Sequence, residues 1–453
     1  MTKVVIIGGV ASGSKAAFKL KRLKPEIDIT IYTKEHNVSY SACGMPYYIG
    51  GIIKDIEKLI IRTIDDFKKS GIDVKNLHEV LKIIPEQKRI LVRDLKTGFE
   101  FFDNYDKLII ATGACPFIPD IKGIDLSNVY TLRTLNDGRK IKKKLLHSER
   151  AVIVGGSYIG TELAESFIHH KVTTTIIEHN SHVMKFFDED MGRLIQNTIQ
   201  NISQDYLKII NSDRVTEFKK TENNDIEVIT ENGFRTVADF VIIAAGVRPC
   251  VRLAVEAGVE LGESGAIKVD NKMRTNIEDI WAIGDCVEKL HLISKKNIFA
   301  PLSSIANKEG RICALNLAGK ESKTFNGIIG SSVVKYFDFS MSKSGLSDFE
   351  AKNLGFEPVS VIITNLDKSR YMPEAKEITI KLTADKNTHK LLGVQCIGFG
   401  DADKRVNILA TALLKEFTVE ELVNIDLTYS PPVSISIDPI LIATYKLIEK
   451  LEN

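Results

Sequence analysis

Twice in this chain, about 147 residues apart, an apolar strand runs into a glycine turn and then into an amphipathic helix. Residues 3–13 read KVVIIGGVASG and residues 151–160 read AVIVGGSYIG. The helical stretches SKAAFKLKRLK and TELAESFIHH follow, and then the second strands DITIYT (28–33) and TTTIIE (173–178). Strand, helix and strand in that order make a βαβ unit, whose parallel strands need helices to cover them. Short strands ending at glycine recur in LIIATGACP (108–116), FVIIAAGVRP (240–249) and IWAIGDCVE (280–288). From about residue 322 the grammar changes to alternating strands, GSSVVKYFDFS, EITIKLTAD and LLGVQCIG, with a helix near 404–416. That tail reads as a separate α+β domain.

The spacing of the glycines carries a chemistry. In a GxGxxG turn the first glycine permits the tight bend and the second lets backbone approach a pyrophosphate. The third brings helix against strand, so phosphate sits at a helix N-terminus. Gly8-Gly9-Val10-Ala11-Ser12-Gly13 has Val10 at the middle glycine's place, and Gly155-Gly156-Ser157-Tyr158-Ile159-Gly160 has Ser157 there. Both stand between strand and helix, and both second strands end where a ribose-binding carboxylate belongs. Glu178 fills that place in the second unit; the first has Thr33, followed by Lys34 and Glu35. The expected fold class is therefore α/β, with two Rossmann-like dinucleotide-binding domains ahead of the α+β tail.

With 453 residues the chain has room for about three domains. Its 61 Lys and Arg against 59 Asp and Glu leave a net charge of +2, with no electrostatic footprint for nucleic acid. Basic runs such as IKKKLLHSER (141–150) read as solvated helix faces. No apolar stretch reaches the roughly 18–20 residues of a membrane span. The opening MTKVVIIGGV meets glycine too soon for a signal peptide. The expectation is a cytoplasmic protein with neither nucleic acid nor membrane as partner. The six cysteines form no CxxC pair and no secreted framework, so neither metal nor disulfides are expected to organise the fold. Cys115, Cys250, Cys286, Cys313 and Cys396 read as small buried hydrophobes. Cys43 differs: Gly44 and MPYYIGG follow it, with Pro46 suited to a first helical turn, so its sulfur can lie where a helix dipole stabilises thiolate.

Together with ATGACP and WAIGDCVE, the segment SYSACGMPYYIGG (39–51) resembles the pyridine nucleotide-disulfide oxidoreductases. The likeness is to the single-cysteine branch that holds coenzyme A-disulfide reductase, NADH oxidase and NADH peroxidase, and it extends to the tail segment DLTYSPP (426–432). The resemblance implies an FAD-binding domain from 1–115 and 246–321, an inserted NAD(P)H-binding domain from 116–245 and a homodimerisation domain from 322–453. It implies FAD contacts at Gly8, Gly13, Thr33, Lys34, Glu35, Val80, Thr112, Gly113, Asp285, Leu302 and Ser303. For the nicotinamide nucleotide it implies Gly155, Tyr158, Ile159, Gly160, Glu162, Glu178 and Gly246. The Glu178 carboxylate favours NADH, with NADPH still admissible beside His179 and Lys185.

Cys43 has no second cysteine within several residues, so its redox partner is a small disulfide or oxygen. By the same resemblance, the peroxidase and oxidase place a histidine at the fourth position of the first glycine motif. Here that position is Ala11, which can neither donate nor accept a hydrogen bond. The coenzyme A-disulfide reductases use two tyrosines that reach the cysteine across the dimer, and the matching positions are Tyr371 in RYMP and Tyr429 in TYSPP. Lys19, Arg22, Ser39 and Asn307 are the implied coenzyme A contacts. Ala42 and Ile437 depart from the asparagine and basic residue found in relatives, which leaves another small disulfide or polysulfide open. The expected activity is reduction of coenzyme A disulfide by NAD(P)H through FAD and Cys43, with no metal. The alternatives are an NADH oxidase and, below it, a non-catalytic flavin-binding redox sensor.

Overall fold

The computed structural model describes residues 2–320 and 323–453. The expected boundary at 321–322 lies outside the described residues. Each glycine unit seeds a five-stranded parallel sheet. The first runs in the order Ile280–Ala282, Lys107–Ile110, Lys3–Ile7, Asp28–Thr33, Asp73–Asn76. The second runs Leu207–Ile210, Thr173–Ile177, Arg150–Val154, Phe240–Ile243, Val129–Thr131. Their central strands, VVII and AVIV, are buried on both faces, as strands in helix-covered parallel sheets must be.

The second sheet is an insertion into the first domain. The chain leaves through the short strand Ala114–Pro116 and returns through Val247–Pro249, and these two strands pair antiparallel. Here the expectation about cysteine fails. Cys115 is exposed, Cys250 is half-buried, and the two form a disulfide across the outgoing and returning strands. The domain returns to its own root, which brings residues 135 apart in sequence to a Cα separation of 5.8 Å. Cys286, Cys313 and Cys396 are buried, as expected, and burial pushes each thiol up.

The tail forms a five-stranded antiparallel sheet in the order Ser332–Tyr336, Phe339–Gly345, Leu391–Gly398, Glu377–Asp385, Pro358–Leu366. The helices Ala402–Leu414 and Pro439–Glu452 cover one face. On Glu377–Asp385 the residues Ile378, Ile380 and Leu382 enter that helical core, while alternation turns Lys381 the other way. Lys381 is only 3% exposed and meets Asp188 at 3.1 Å, Asp190 at 2.7 Å and Asp348 at 2.9 Å. Burial pulls its ammonium down, but the hydrogen bonds and charges of these carboxylates outweigh that and hold it above its ordinary value. This cluster ties the tail to the inserted domain, and Tyr336 and Met341 join the insertion's apolar core alongside Met45 and Ile49 from the first domain.

Candidate functional site

A continuous cavity of about 2980 Å³ runs between the domains and is lined by both glycine turns, by Cys43 and by residues of the tail. That is several times the roughly 300–1,000 Å³ of a single small-molecule site, so it has room for more than one nucleotide-sized ligand. The turns fit phosphate. Gly8 and Gly155 take φ of 106° and 105°, and a Cβ on either would strike the carbonyl oxygen of Ala111 or Ala244. The helices that follow, Ser12–Leu23 and Tyr158–His169, carry no acidic residue in their first turn and no side-chain N-cap hydrogen bond, which leaves their leading N–H groups for an anion. Gly13 and Gly160 do not reach the cavity; a Cβ on them would meet Gly8 O and Gly155 O, so they set the approach of helix to strand.

Thr33, Lys34, Glu35, Val80, Thr112, Gly113, Asp285, Leu302 and Ser303 line the cavity on the first turn's side. Tyr158, Ile159, Glu162, Glu178 and Gly246 line it on the second. Glu35 is already engaged, accepting from Tyr40 Oη at 2.5 Å, and burial raises its carboxyl. Glu178 is held by donors from Gly156 N at 2.7 Å and Asn180 N at 2.9 Å, so the end of the second strand is fastened to the glycine turn itself. Burial, then the charge of Glu165, pushes Glu162 up to about 7.

Cys43 lies exposed in a short turn, Ala42–Gly44, immediately before the helix Met45–Ile49, with Pro46 as the second helical residue. Its Sγ is 3.5 Å from Ser303 Oγ. The helix is clamped by the inserted domain: Ser166 Oγ donates to Pro46 O at 2.8 Å and Lys142 Nζ to Tyr48 O at 2.7 Å, with Lys142 also 4.0 Å from the Tyr48 ring centroid. Lys142 thus corrects the reading of residues 141–150 as a plain solvated face. Tyr47 also lines this junction; burial first, then Glu162, Glu165 and Cys43, raise its phenol.

Lys19, Arg22, Ser39 and Asn307 line the same cavity. Sequence reading missed Lys15, Arg62 and Arg311, which join them. Partial burial, then the charges of Arg311, Arg22, Lys320 and Lys15, lower Lys19. Ser303, Asn307 and Arg311 follow at four-residue spacing along the helix Ser303–Leu317, a signal that could have found Arg311 from Asn307. Arg62 had no such signal; its guanidinium sits 4.3 Å over the Phe18 ring.

Tyr371 and Tyr429 are 72% and 52% exposed and lie outside the cavity of their own chain. Their loops adjoin, with Ser369 N donating to Pro431 O at 3.3 Å. Buried Arg405 pins both by donating to Asp367 O at 2.8 Å and Asp438 Oδ2 at 3.0 Å. Among the described residues no group of three or more His, Cys, Asp or Glu could hold a metal ion, and no helix is long and apolar enough to cross a membrane.

Residues 2–299 match the pyridine nucleotide-disulphide oxidoreductase family, and residues 331–439 match that family's dimerisation domain. The chain belongs to the pyridine nucleotide-disulphide oxidoreductases. It is 35% identical over 449 residues to an NAD(P)H sulfur oxidoreductase (CoA-dependent) of Pyrococcus abyssi, covering 97% of this chain and 96% of that protein. It is 33% identical over 456 residues to an NADH oxidase of Methanocaldococcus jannaschii, covering all of both chains. Among solved structures, an NAD-dependent persulfide reductase from A. fulgidus superimposes with a TM-score of 0.96 at 34% identity, covering 100% of this chain and 84% of the other. As a family member the chain is an NAD(P)H-dependent flavoprotein oxidoreductase that uses FAD, and its tail is a homodimerisation domain.

Proposed function

We propose that this flavoprotein reduces coenzyme A disulfide, or a related small disulfide or polysulfide, with electrons from NAD(P)H delivered to Cys43. The observation that carries the reading is one exposed thiol outside any disulfide, in a cavity whose wall bears the cations Lys15, Lys19, Arg22, Arg62 and Arg311, for which no salt bridge is found among the described residues. From Ser303, beside the sulfur, Asn307 and Arg311 follow over about 12 Å of helix. An anionic thiol carrier lying along that helix would reach Lys19, Arg22 and Arg62 with its phosphates. FAD, held at the first turn by Thr33–Glu35, Val80, Thr112, Gly113, Asp285 and Leu302, supplies a two-electron relay between nicotinamide and sulfur.

Cys43 thiolate attacks one sulfur of the bound disulfide, expels the first thiol and keeps the second as a mixed disulfide. Ser303 Oγ orients the Cys43 sulfur. The second turn, with Tyr158, Ile159 and Glu178, holds the nicotinamide nucleotide. Tyr371 and Tyr429 of one protomer face Cys43 of its partner and donate a proton to the leaving thiolate, which a phenol protonated at neutral pH can do.

Oxygen is the second reading, favoured by the likeness to an NADH oxidase; Ala11 counts against it, since it offers no hydrogen bond to a peroxide or sulfenate. The test measures NADH oxidation with coenzyme A disulfide, polysulfide and oxygen in wild type and Cys43→Ser. Disulfide turnover should fall by roughly a thousandfold or more in the variant, as for a lost nucleophile, while stopped-flow flavin reduction by NADH stays within about threefold. Persistent disulfide reduction in Cys43→Ser, or wild-type NADH oxidation fully accounted for by oxygen consumption, overturns the reading.

A further inference from the structure

The Cys115–Cys250 disulfide joins the two strands by which the chain enters and leaves the inserted domain. In their antiparallel register Cys115 stands opposite Arg248, and Cys250 N donates to Gly113 O at 2.9 Å. The cysteines are therefore diagonal neighbours on one face of the ribbon. Their Cα separation of 5.8 Å is one that a disulfide spans without moving backbone. Both line the cavity, and Cys115 is exposed, so a small molecule can reach them. The Arg248 guanidinium lies 4.3 Å over the Phe117 ring on the same ribbon. Nothing in the chemistry of Cys43 uses this pair.

We propose that Cys115 and Cys250 are a second thiol–disulfide site, which low-molecular-weight disulfides oxidise and which staples the inserted domain to the domain it interrupts. Cys115 thiolate attacks one sulfur of RSSR, forming a mixed disulfide and expelling RS⁻. Cys250 thiolate attacks the Cys115 sulfur, closes the Cys115–Cys250 bond and expels the second RS⁻. The two cysteines lose two electrons, the small disulfide gains them, and both protons leave on two RSH; excess thiol drives the reverse. Cys43 ends in a mixed disulfide with its substrate, whereas this pair closes on itself. Closure joins the ends of the insertion even when the domain opens, so the open state loses conformational freedom and becomes rarer. The inference stands whichever oxidant Cys43 serves.

The test takes the full-length, FAD-loaded homodimer, reduced with dithiothreitol, desalted and then incubated with oxidised glutathione. Peptide mass analysis after alkylation should find Cys115 and Cys250 joined to each other. The unfolding midpoint should rise by roughly 5–10 °C over the reduced protein and fall back with dithiothreitol. Cys115→Ser/Cys250→Ser should take up glutathione at Cys43 with no rise in midpoint. Separate glutathionylation or alkylation of the two cysteines in the oxidised wild type overturns the proposal, as does a joined pair with an unchanged midpoint. The wild-type comparison of reduced with oxidised protein decides the matter even if the double variant fails to fold.

Discussion

At the first glycine turn Gly8 N donates to Tyr32 O at 2.8 Å, and at the second Gly155 N donates to Ile177 O at 2.9 Å. Beyond each second strand the chain folds back to the turn in the same way, Ser39 N donating to Gly9 O and Met184 N to Gly156 O, both at 2.8 Å. The side chains leaving these matched backbones differ. Four residues past the fold-back contact, the first unit presents exposed Cys43 and the second buries Asp188 against Lys381 and Gln395. Two residues past the last glycine, the first has Lys15 and the second Glu162. The strand ends carry Thr33 and Glu178. The backbone repeats because left-handed φ and close helix approach admit only glycine at those places. The side chains around it are free to diverge, so equivalent positions have become a thiol in one unit and a structural anchor in the other.

The repeated part breaks most severely. Gly13→Ala and Gly160→Ala each push a Cβ into the preceding turn's carbonyl, an overpacking worth about 1–3 kcal/mol, or roughly five- to 150-fold in affinity. Gly13→Ala should lose FAD, read as flavin absorbance after gel filtration. Gly160→Ala should keep FAD and raise the Kd of NADH. Equal loss of FAD in both would show that the turns do not act independently.

Asp188→Asn tests the anchor. It leaves Lys381 facing Asp190 and Asp348 and should cost about 1–3 kcal/mol of stability, with the rate of flavin reduction by NADH unchanged at temperatures below unfolding. A variant as stable as wild type would remove Asp188 from the architecture.

The strand ends sharpen the comparison through nucleotide choice. If the nicotinamide nucleotide binds at the second turn as proposed, the Glu178 carboxylate would repel a 2′-phosphate, and His179 and Lys185, which line the same cavity, would soften that repulsion. NADH should therefore reduce the flavin with a Kd about tenfold lower than NADPH, a difference of about 1.4 kcal/mol. Stopped-flow titration with both nucleotides checks it, and tighter binding of NADPH contradicts it.

The smallest effect is electrostatic. Glu162 in the folded protein ionises at about 7, above an exposed glutamate, so on raising the pH the unfolded chain loses this proton first. Its contribution to stability therefore falls between the ordinary carboxylate range and about pH 7. Glu162→Gln removes that loss, and its melting temperature should gain on wild type as pH rises from about 5 to 7.5. A constant difference across that range would mean that Glu162 is solvated.

The strand–glycine–helix phrases, the parallel order of the strands they seed and the α+β tail were all legible in consecutive residues, because glycine spacing and apolar runs act on the backbone within one turn of chain. Cys43 stood out for the same reason, through the glycine and proline beside it. The terminal helix Pro439–Glu452 went unread, since PILIATYKLIEKLE lies behind a proline-rich segment that masks its start. Only the tertiary structure decided which distant residues meet: the Cys115–Cys250 bond, Lys142 on the helix after Cys43, Arg311 near Lys19, Arg62 over Phe18, and Asp188 beneath Lys381. Each joins residues whose local sequences carry no mark of the other. Proximity at the disulfide follows from a domain inserted between two strands that must return to its own root, a constraint of the folded chain rather than of any stretch of it.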